Sequence, residues 1–347
     1  MVYDCFSFFN ELDLLEIRLN VLKDVVDRFV LVEAGETHTG KPKPFYFEEN
    51  RGRFAAFADR ITYLKIEKFP PGHGAWWNEN YQRNELMKGL VGAKDDDDVL
   101  ISDLDEIPNP DEVRRWKGTP GVKVFRQKCF AFYLNYWNAR DWWLCTTKML
   151  PYRDVKNVYD GLSVVVNEFL PADLNVGTTL TKIRRCRLPR SRGGERVIRA
   201  GGWHFSCLGG AEAMARKMRA VAPHHDFNPD DPTLTPERMA ALIERGLGPA
   251  LSMHCFAEPI DETYPRYVRE NQELLSRFVF RVTPGYLREV RLARLFRGLQ
   301  GRLIKIGERL CPPALHNWLH RVKMCIFLSR RGRACSGRGQ SSPSERD

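Results

Sequence analysis

The sequence predicts a mixed α/β fold: a mostly parallel central sheet flanked by helices, followed by a mixed second half and C-terminal helices. Two observations predict it. Up to Asp105, apolar runs of strand length alternate with stretches whose leucines recur at helical spacing, the pattern of right-handed βαβ crossovers. After Pro110 that alternation gives way to short aromatic-rich runs bounded by glycine, which read as partly antiparallel strands.

In order, VYDCFSFF reads as a first strand and ELDLLEIRLNVLKDVV as its helix, with Leu12, Leu15, Leu19 and Leu22 on one side. RFVLVEA is the second strand, and the polar loop GETHTGKPKP leads to a helix over FEENRGRFAAFADR. ITYLKIE is the third strand, WWNENYQRNELMKGLV the next helix and DVLISDL the fourth strand. GVKVFRQKCFAFYLNYWN and DWWLCTTKMLPY read as extended, and GGERVIRAGGWHFSCLGG as one strand between glycines. From GGAEAMARKMRAV to YVRENQELLSRFVF the pattern is helical.

The chain has 347 residues, 43% of them hydrophobic, enough for a substantial buried core. Its net charge of +10 is unevenly spread. From Arg281 onward there are 15 Lys or Arg against 4 Asp or Glu, which leaves 39 against 40 in the first 280 residues. The basic signal therefore belongs to the C-terminal part, and the near-neutral remainder offers no extended footprint for nucleic acid. The organisation expected is a main domain over 1–284, a basic amphipathic helical extension over 285–328 and a disordered Gly/Ser/Arg tail over 329–347. The extension has an apolar side and an Arg-rich side, which suits either peripheral contact with an anionic membrane or packing on the domain.

Nine scattered cysteines, none spaced as C-x-x-C, read as reduced thiols in a cytoplasmic setting. The amino terminus has no basic start or small-residue cleavage site, and no stretch approaches the roughly 20 apolar residues of a membrane span.

The chemistry concentrates in DDVLISDLDEIPN. A buried-type strand, Val99 to Ile101, ends in Asp103, Asp105 and Glu106, and in extended geometry Asp103 and Asp105 point the same way. Two carboxylates aimed at one point repel unless a cation lies between them. Hard oxygen ligands suit Mg²⁺ or Mn²⁺, which bind one or two carboxylates together with phosphate oxygens. Asn10 with Glu11, and Glu33, end the first two strands and should share that rim, where open parallel sheets bind ligands. Asp95 to Asp98 read as a hydrated turn without chemistry. His204, in GGWHFSC, is either a core histidine or a third metal ligand. Among the tryptophans, Trp76, Trp77, Trp137, Trp142, Trp143 and Trp203, most should be core.

The segments YDCFSFFNELDLLEIRL, VDRFVLVEA with THTGKPKP, WWNENYQRN, DVLISDLDEIP and AGGWHFS, taken in this order, resemble glycosyltransferase family 17. The resemblance implies a GT-A-like nucleotide-sugar fold, a UDP-sugar donor, a divalent metal (Mn²⁺ or Mg²⁺) and inversion at the anomeric carbon. The sugar it implies first is N-acetylglucosamine, moved to a glycan or glycolipid hydroxyl. Carried over by position, Asp103 and Asp105 match the family's D-x-D, Glu106 the acid after it, and His204 the histidine of its G-W-H-x-S segment. Asn10, Glu11, Glu33, Arg83, Asn84 and Asp103 are then the expected donor-binding residues, and Asp103, Asp105 and His204 the metal ligands.

A base for the acceptor hydroxyl should be a carboxylate. Glu106, Glu168, Asp226 and Asp261 are open choices, with Glu106 and Asp226 put first. The sequence opens without the signal anchor of the animal members, so a cytoplasmic enzyme acting on a glycan precursor is expected. Two readings of other classes stay open: a noncatalytic carbohydrate-binding protein on the same fold, and a metal-dependent phosphoryl or nucleotidyl transferase. Against the second, no G-x-x-x-x-G-K-[ST] phosphate loop is present.

Overall fold

The computed structural model describes residues 1–138, 147–159, 195–220, 230–244 and 255–281. The chain divides into two compact units, Met1–Val282 and Thr283–Asp347, and the described residues belong to the first. The basic extension and the tail lie outside them.

The first half follows the expected alternation. Strand β1 (Val2–Phe8) is followed by α1 (Leu12–Leu22), β2 (Arg28–Ala34), a four-residue helix α2 (Tyr46–Glu49), β3 (Ile61–Ile66), α3 (Ala75–Glu85) and β4 (Asp98–Asp103). β1 lies between β2 and β4 and is parallel to both, with Cys5 opposite Val30 on one side and Ile101 on the other. β3 lies outside β2, also parallel. The chain therefore builds outward from β1 to β3, then crosses back to place β4 on the other side of β1. The carboxyl ends of β1 and β4 thus meet at the topological switch point, where open sheets hold ligands.

Strands buried on both faces need apolar residues at successive positions, and β1 supplies them. Phe6 and Phe8 pack with Leu14, Leu15, Leu19 and Leu22 of α1 on one face. Tyr3 and Cys5 pack with Val30, Ile101, Leu86 and Leu90 on the other. The helix read over FEENRGRFAAFADR is instead α2 followed by a 3₁₀ helix, Arg51–Arg60, interrupted at Phe54, whose ring is buried while its backbone leaves helical geometry. The helix read through Val91 ends at Glu85 and continues as 3₁₀ over Leu86–Leu90. Gly89 there lies so close to Val30 that a Cβ would stand 2.2 Å from the valine methyl.

The second half is mixed. β5 (Glu106–Pro108) follows β4 after a turn, then come α4 (Pro110–Trp116), β6 (Val122–Phe125), β7 (Lys128–Ala131), β8 (Tyr136–Asn138), β9 (Lys148–Pro151), α5 (Tyr152–Tyr159), β10 (Glu195–Ile198) and β11 (Gly202–Ser206). Helices α6 (Gly210–Ala220) and α7 (Pro236–Glu244), strand β12 (Cys255–Ala257) and helix α8 (Arg266–Glu270) complete it. One sheet runs β10-β6-β9-β4-β1-β2-β3, with β9 antiparallel to β4 and β6. The other runs β12-β8-β7-β11-β5.

The segment read as one glycine-bounded strand is two strands, β10 and β11, in different sheets. The chain changes sheet at Gly201 and Gly202. Gly202 has φ +129°, and a Cβ there would meet the Ile107 carbonyl oxygen at 2.2 Å. The expected hydrated turn at Asp95 to Asp98 is also revised, because Asp97 and Asp98 are buried and Asp98 opens β4.

Candidate functional site

The D-x-D stretch forms the corner between the two sheets. β4 ends at Asp103, the chain turns at Leu104 and Asp105, and β5 begins at Glu106 in the second sheet. That turn corrects the shared direction expected of Asp103 and Asp105, since the backbone is not extended between them and each carboxylate finds its own cation.

The corner is held from beneath by Arg18 of α1, which has no exposed surface. Its Nη1 donates to the carbonyls of Asp103 (2.9 Å), Leu104 (3.0 Å) and Glu106 (2.9 Å). Nε and Nη2 donate to Asp4 at 2.8 and 2.6 Å, and Nη2 also to Ser102 Oγ at 2.6 Å. From the opposite side Glu106 Oε2 accepts from the Asp103 amide at 3.0 Å. With carbonyls turned inward on one guanidinium, the turn is fixed.

Asp103 is the more open acid, its side chain 36% exposed, and its Oδ1 accepts from Arg83 Nη2 at 2.9 Å. Arg83 is buried on α3 and also contacts Glu79 at 3.2 Å. α3 is laid across the strand ends by Gln82, whose amide donates to the carbonyls of Val32 (3.1 Å) and Phe8 (3.4 Å). Asn84, which follows Arg83, has its carboxamide oxygen buried without a hydrogen-bond partner among the described residues.

Asp105 is buried between two cationic groups. Lys217 Nζ of α6 lies 2.9 Å from Oδ2, and His204 Nε2 of β11 lies 3.4 Å from Oδ1. His204 is brought there because β11 pairs antiparallel with β5, setting it opposite Glu106. Lys217 also reaches Glu11 Oε1 at 3.5 Å, and Glu11 Oε2 accepts from the Asn10 amide at 3.1 Å. Burial pushes the Asp105 carboxyl up, but the charges of Lys217 and His204 outweigh it and hold the group well below the usual carboxylate range. Burial would likewise lower His204 and Lys217. Asp105 outweighs it at His204, and Asp105 with Glu11 at Lys217, so both are raised well above their ordinary values.

The helix that carries Lys217 starts from a constrained turn. Cys207 and Phe132 are both left-handed, at φ 53° and 69°, and Phe132 is bonded to the residues on either side of Cys207. Phe132 donates to the Ser206 carbonyl, and the amides of Gly209 and Gly210 donate to the Phe132 carbonyl. Such backbone costs on the order of 1–3 kcal/mol per residue and persists where the surroundings impose it.

The structure thus brings Asn10, Glu11, Arg83, Asp103, Asp105, Glu106 and His204 together at the switch point. Glu33 is set apart. It has no exposed surface, and its two oxygens accept four bonds, from Lys43, Tyr63 and the amides of Tyr46 and Phe47. A carboxylate has about four acceptor positions, so the expected donor-facing role gives way to anchoring the loop after β2. Glu106 is also fully buried. Asp261 is exposed and turned to Thr263, whose hydroxyl and amide bonds lower its pKa. Asp226, Glu168, Trp142 and Trp143 lie outside the described residues. Trp203 is core, its indole donating to the Thr263 carbonyl. A cavity of about 940 Å³ lined by Trp203, Tyr264 and Arg199 shares no residue with the acid cluster. Successive residues of a strand face opposite ways, which separates Trp203 from His204.

Sequence reasoning missed Arg18 and Lys217. Arg18 was readable, since it interrupts the leucine side of α1 and a lone Asp4 interrupts β1. Nothing in ARKMRA distinguishes Lys217 from its basic neighbours.

Among the described residues no three His, Cys, Asp or Glu side chains converge as a closed metal cage. Mg²⁺ and Mn²⁺ do not require one, because they take one or two carboxylates and complete their shell from phosphate and water. Asp105 Oδ1 and His204 Nε2, 3.4 Å apart, are two atoms that could share one small cation once it displaces the imidazolium proton, while Lys217 keeps Oδ2. The donor set fits such an ion.

Fold and site define a mixed α/β protein with an acidic corner, held by fixed cationic side chains, at the switch point of its sheet. Residues 1–160 match the model of glycosyltransferase family 17, and the family resemblance read from the sequence is shown over that stretch. Two curated relatives, the β-1,4-mannosyl-glycoprotein 4-β-N-acetylglucosaminyltransferases of Rattus norvegicus and Homo sapiens, are 35% identical over 120 residues and 37% identical over 112 residues. These alignments take in 32% and 30% of this chain but 22% and 21% of those proteins. Among solved structures, the mannosyltransferase PcManGT of Pyrobaculum calidifontis, in complex with GDP-Man and Mn²⁺, aligns over 85% of this chain and 79% of that one. Its identity is 15% and its TM-score 0.35, a likeness too distant to inform the site. No helix among the described residues is long and apolar enough to cross a membrane.

Proposed function

We propose that the protein is an inverting, divalent-metal-dependent glycosyltransferase of GT-A-like architecture, which moves a sugar, N-acetylglucosamine foremost, from UDP to the hydroxyl of a glycan or glycolipid. The observation that carries the reading is the D-x-D corner at the switch point between β1 and β4, with each aspartate matched to a fixed cation. The family 17 match over residues 1–160, which includes this corner, supports it.

Asp105 and His204 would hold the metal, while Asp103, turned to Arg83, is kept on the donor side rather than in the metal shell first expected of it. When bound, Mn²⁺ or Mg²⁺ supplies positive charge to the departing diphosphate. Asn10, Glu11, Arg83 and Asn84 line the donor side. Arg83 keeps Asp103 in place and adds positive charge where negative charge develops.

In the transfer, the bond from the anomeric carbon to the diphosphate oxygen breaks as the acceptor oxygen bonds the opposite face. The hydroxyl proton passes to a carboxylate base. Glu106 is occupied in the turn and has no exposed surface, so Asp226, put beside it in the sequence reading, is the acid to test first, with Glu168 and Asp261 still open. An acceptor carried on lipid, approached from the cytoplasmic side with the basic C-terminal extension against the membrane, belongs to the same proposal.

The test is a panel of UDP-sugars and ATP with Mn²⁺, read as thermal protection and UDP release, on wild type and Asp105→Asn. A ligand at 100 times its Kd raises stability by about 2.7 kcal/mol, well within reach of a melting curve. One UDP-sugar should protect the wild type and not the variant. Protection by ATP alone would replace this reading with phosphoryl or nucleotidyl transfer.

A further inference from the structure

We infer that Lys217 is a donor-binding residue whose ammonium, fixed between Asp105 and Glu11 at the switch point, contacts the diphosphate of the donor beside the metal. This deepens the proposed function and rests on it.

An ammonium carries three N–H donors at tetrahedral angles to one another. At Lys217 one points to Asp105 Oδ2 at 2.9 Å and another lies toward Glu11 Oε1 at 3.5 Å. The third has no partner among the described residues, and the side chain is 23% exposed while that of Asp105 is 8% exposed. A lysine serving only to neutralise Asp105 has no need of an open side. This one is held by acids on its inner side and open on another.

The surrounding charges explain why such a cation is useful. Glu11, Asp103, Asp105 and Glu106 are four carboxylates at one corner. A diphosphate brought there meets repulsion that a divalent ion, itself bound by Asp105, offsets only in part. Arg83 is turned to Asp103 and Glu79, whereas Lys217 is the cation shared between the β1 end and the D-x-D turn. Because its positive charge belongs to the chain, it is present with or without the metal. The constrained start of α6, with left-handed Phe132 bonded to Ser206, Gly209 and Gly210 around left-handed Cys207, fixes the helix that delivers it.

The test is calorimetric titration of wild type, Lys217→Met and Lys217→Arg with Mn²⁺ alone, then with uridine, UDP and inorganic pyrophosphate in saturating Mn²⁺. Lys217→Met should lose roughly tenfold or more in affinity for UDP and for pyrophosphate, the loss expected of one charge-assisted hydrogen bond. Uridine binding should be unchanged, Mn²⁺ binding should be kept or tightened, and Lys217→Arg should recover part of the loss. A purely neutralising lysine would leave UDP and pyrophosphate affinity at the wild-type value once Mn²⁺ saturates, and that result overturns the inference. If wild type binds pyrophosphate but not UDP, the proposed function fails while the pyrophosphate comparison still decides Lys217. If it binds neither, both fall. Should Lys217→Met not fold, Lys217→Gln, which keeps a donor for the acids without the charge, takes its place.

Discussion

Arg18 Nη1 donates to the Asp103 carbonyl at 2.9 Å, so a helix residue near the amino terminus holds the backbone of an acid 85 positions later. The same guanidinium pairs with buried Asp4. Arg18→Met therefore leaves an unpaired buried carboxylate and three inward carbonyls, an expected loss of about 3–5 kcal/mol in urea unfolding. Adding Asp4→Asn should restore a good part of it by removing the orphaned charge. If the double variant is no more stable than Arg18→Met, the carbonyl contacts rather than the ion pair dominate.

The two aspartates should behave differently because their exposures differ. Asp103 is partly exposed, and Asp103→Asn leaves buried Arg83 still paired with Glu79, so its loss should be about 1 kcal/mol. Asp105 holds two cationic groups in a buried setting, so Asp105→Asn should cost on the order of 3 kcal/mol. Both substitutions should weaken Mn²⁺-dependent nucleotide binding. Melting and titration of the pair of variants separate the effects, and equal stability losses would contradict the asymmetry.

The parallel strands were legible because burial on both faces demands mostly apolar runs, and Val2–Phe8, Arg28–Ala34 and Asp98–Asp103 show them, broken chiefly by Asp4 and Glu33, each with a partner. The D-x-D was legible for the opposite reason, as acids placed where apolar residues end. The strand order was not, since nothing in ITYLKIE tells that the chain next crosses β1 to form the switch point. All five strands of the second sheet are three to five residues long, too short for a period to stand out. His204 could be nominated but not placed until the β5–β11 pairing set it beside Asp105. Lys217 depended on helix α6, whose position follows from left-handed Phe132 and Cys207, a conformation neither residue type announces.

Gly202 should tolerate no side chain. Its φ of +129° and a Cβ position 2.2 Å from the Ile107 carbonyl oxygen mean that Gly202→Ala strains the backbone and pushes β11 from β5. We expect a loss of more than about 2 kcal/mol together with weakened metal binding, because the same pairing sets His204. Gly52→Ala is the control. Its Cβ meets nothing within 4 Å and its φ is ordinary, so stability should stay the same or rise by about 0.4–1 kcal/mol. Equal effects of the two substitutions on the melting temperature would refute the close approach.

The buried pair of Asp98 and Lys123 gives a pH dependence of definite sign. Asp98 accepts from the Gly118 amide at 2.6 Å and lies 3.6 Å from Lys123 Nζ, with both side chains almost wholly buried. Burial raises the Asp98 carboxyl despite that amide and the lysine charge, and burial lowers Lys123 despite Asp98. Where an acid is raised, the folded state holds its proton more tightly than the unfolded chain between the ordinary value near 3.8 and the raised one. Its contribution to stability is therefore complete below that window and declines as pH climbs through it. Asp98→Asn has no such titration, so the stability gap between variant and wild type should narrow as pH rises from below 3.8 into the mildly acidic range. Urea unfolding of both proteins across that range measures it. A gap that widens instead would mean that Lys123 and Gly118 stabilise the charged carboxylate by more than burial costs it.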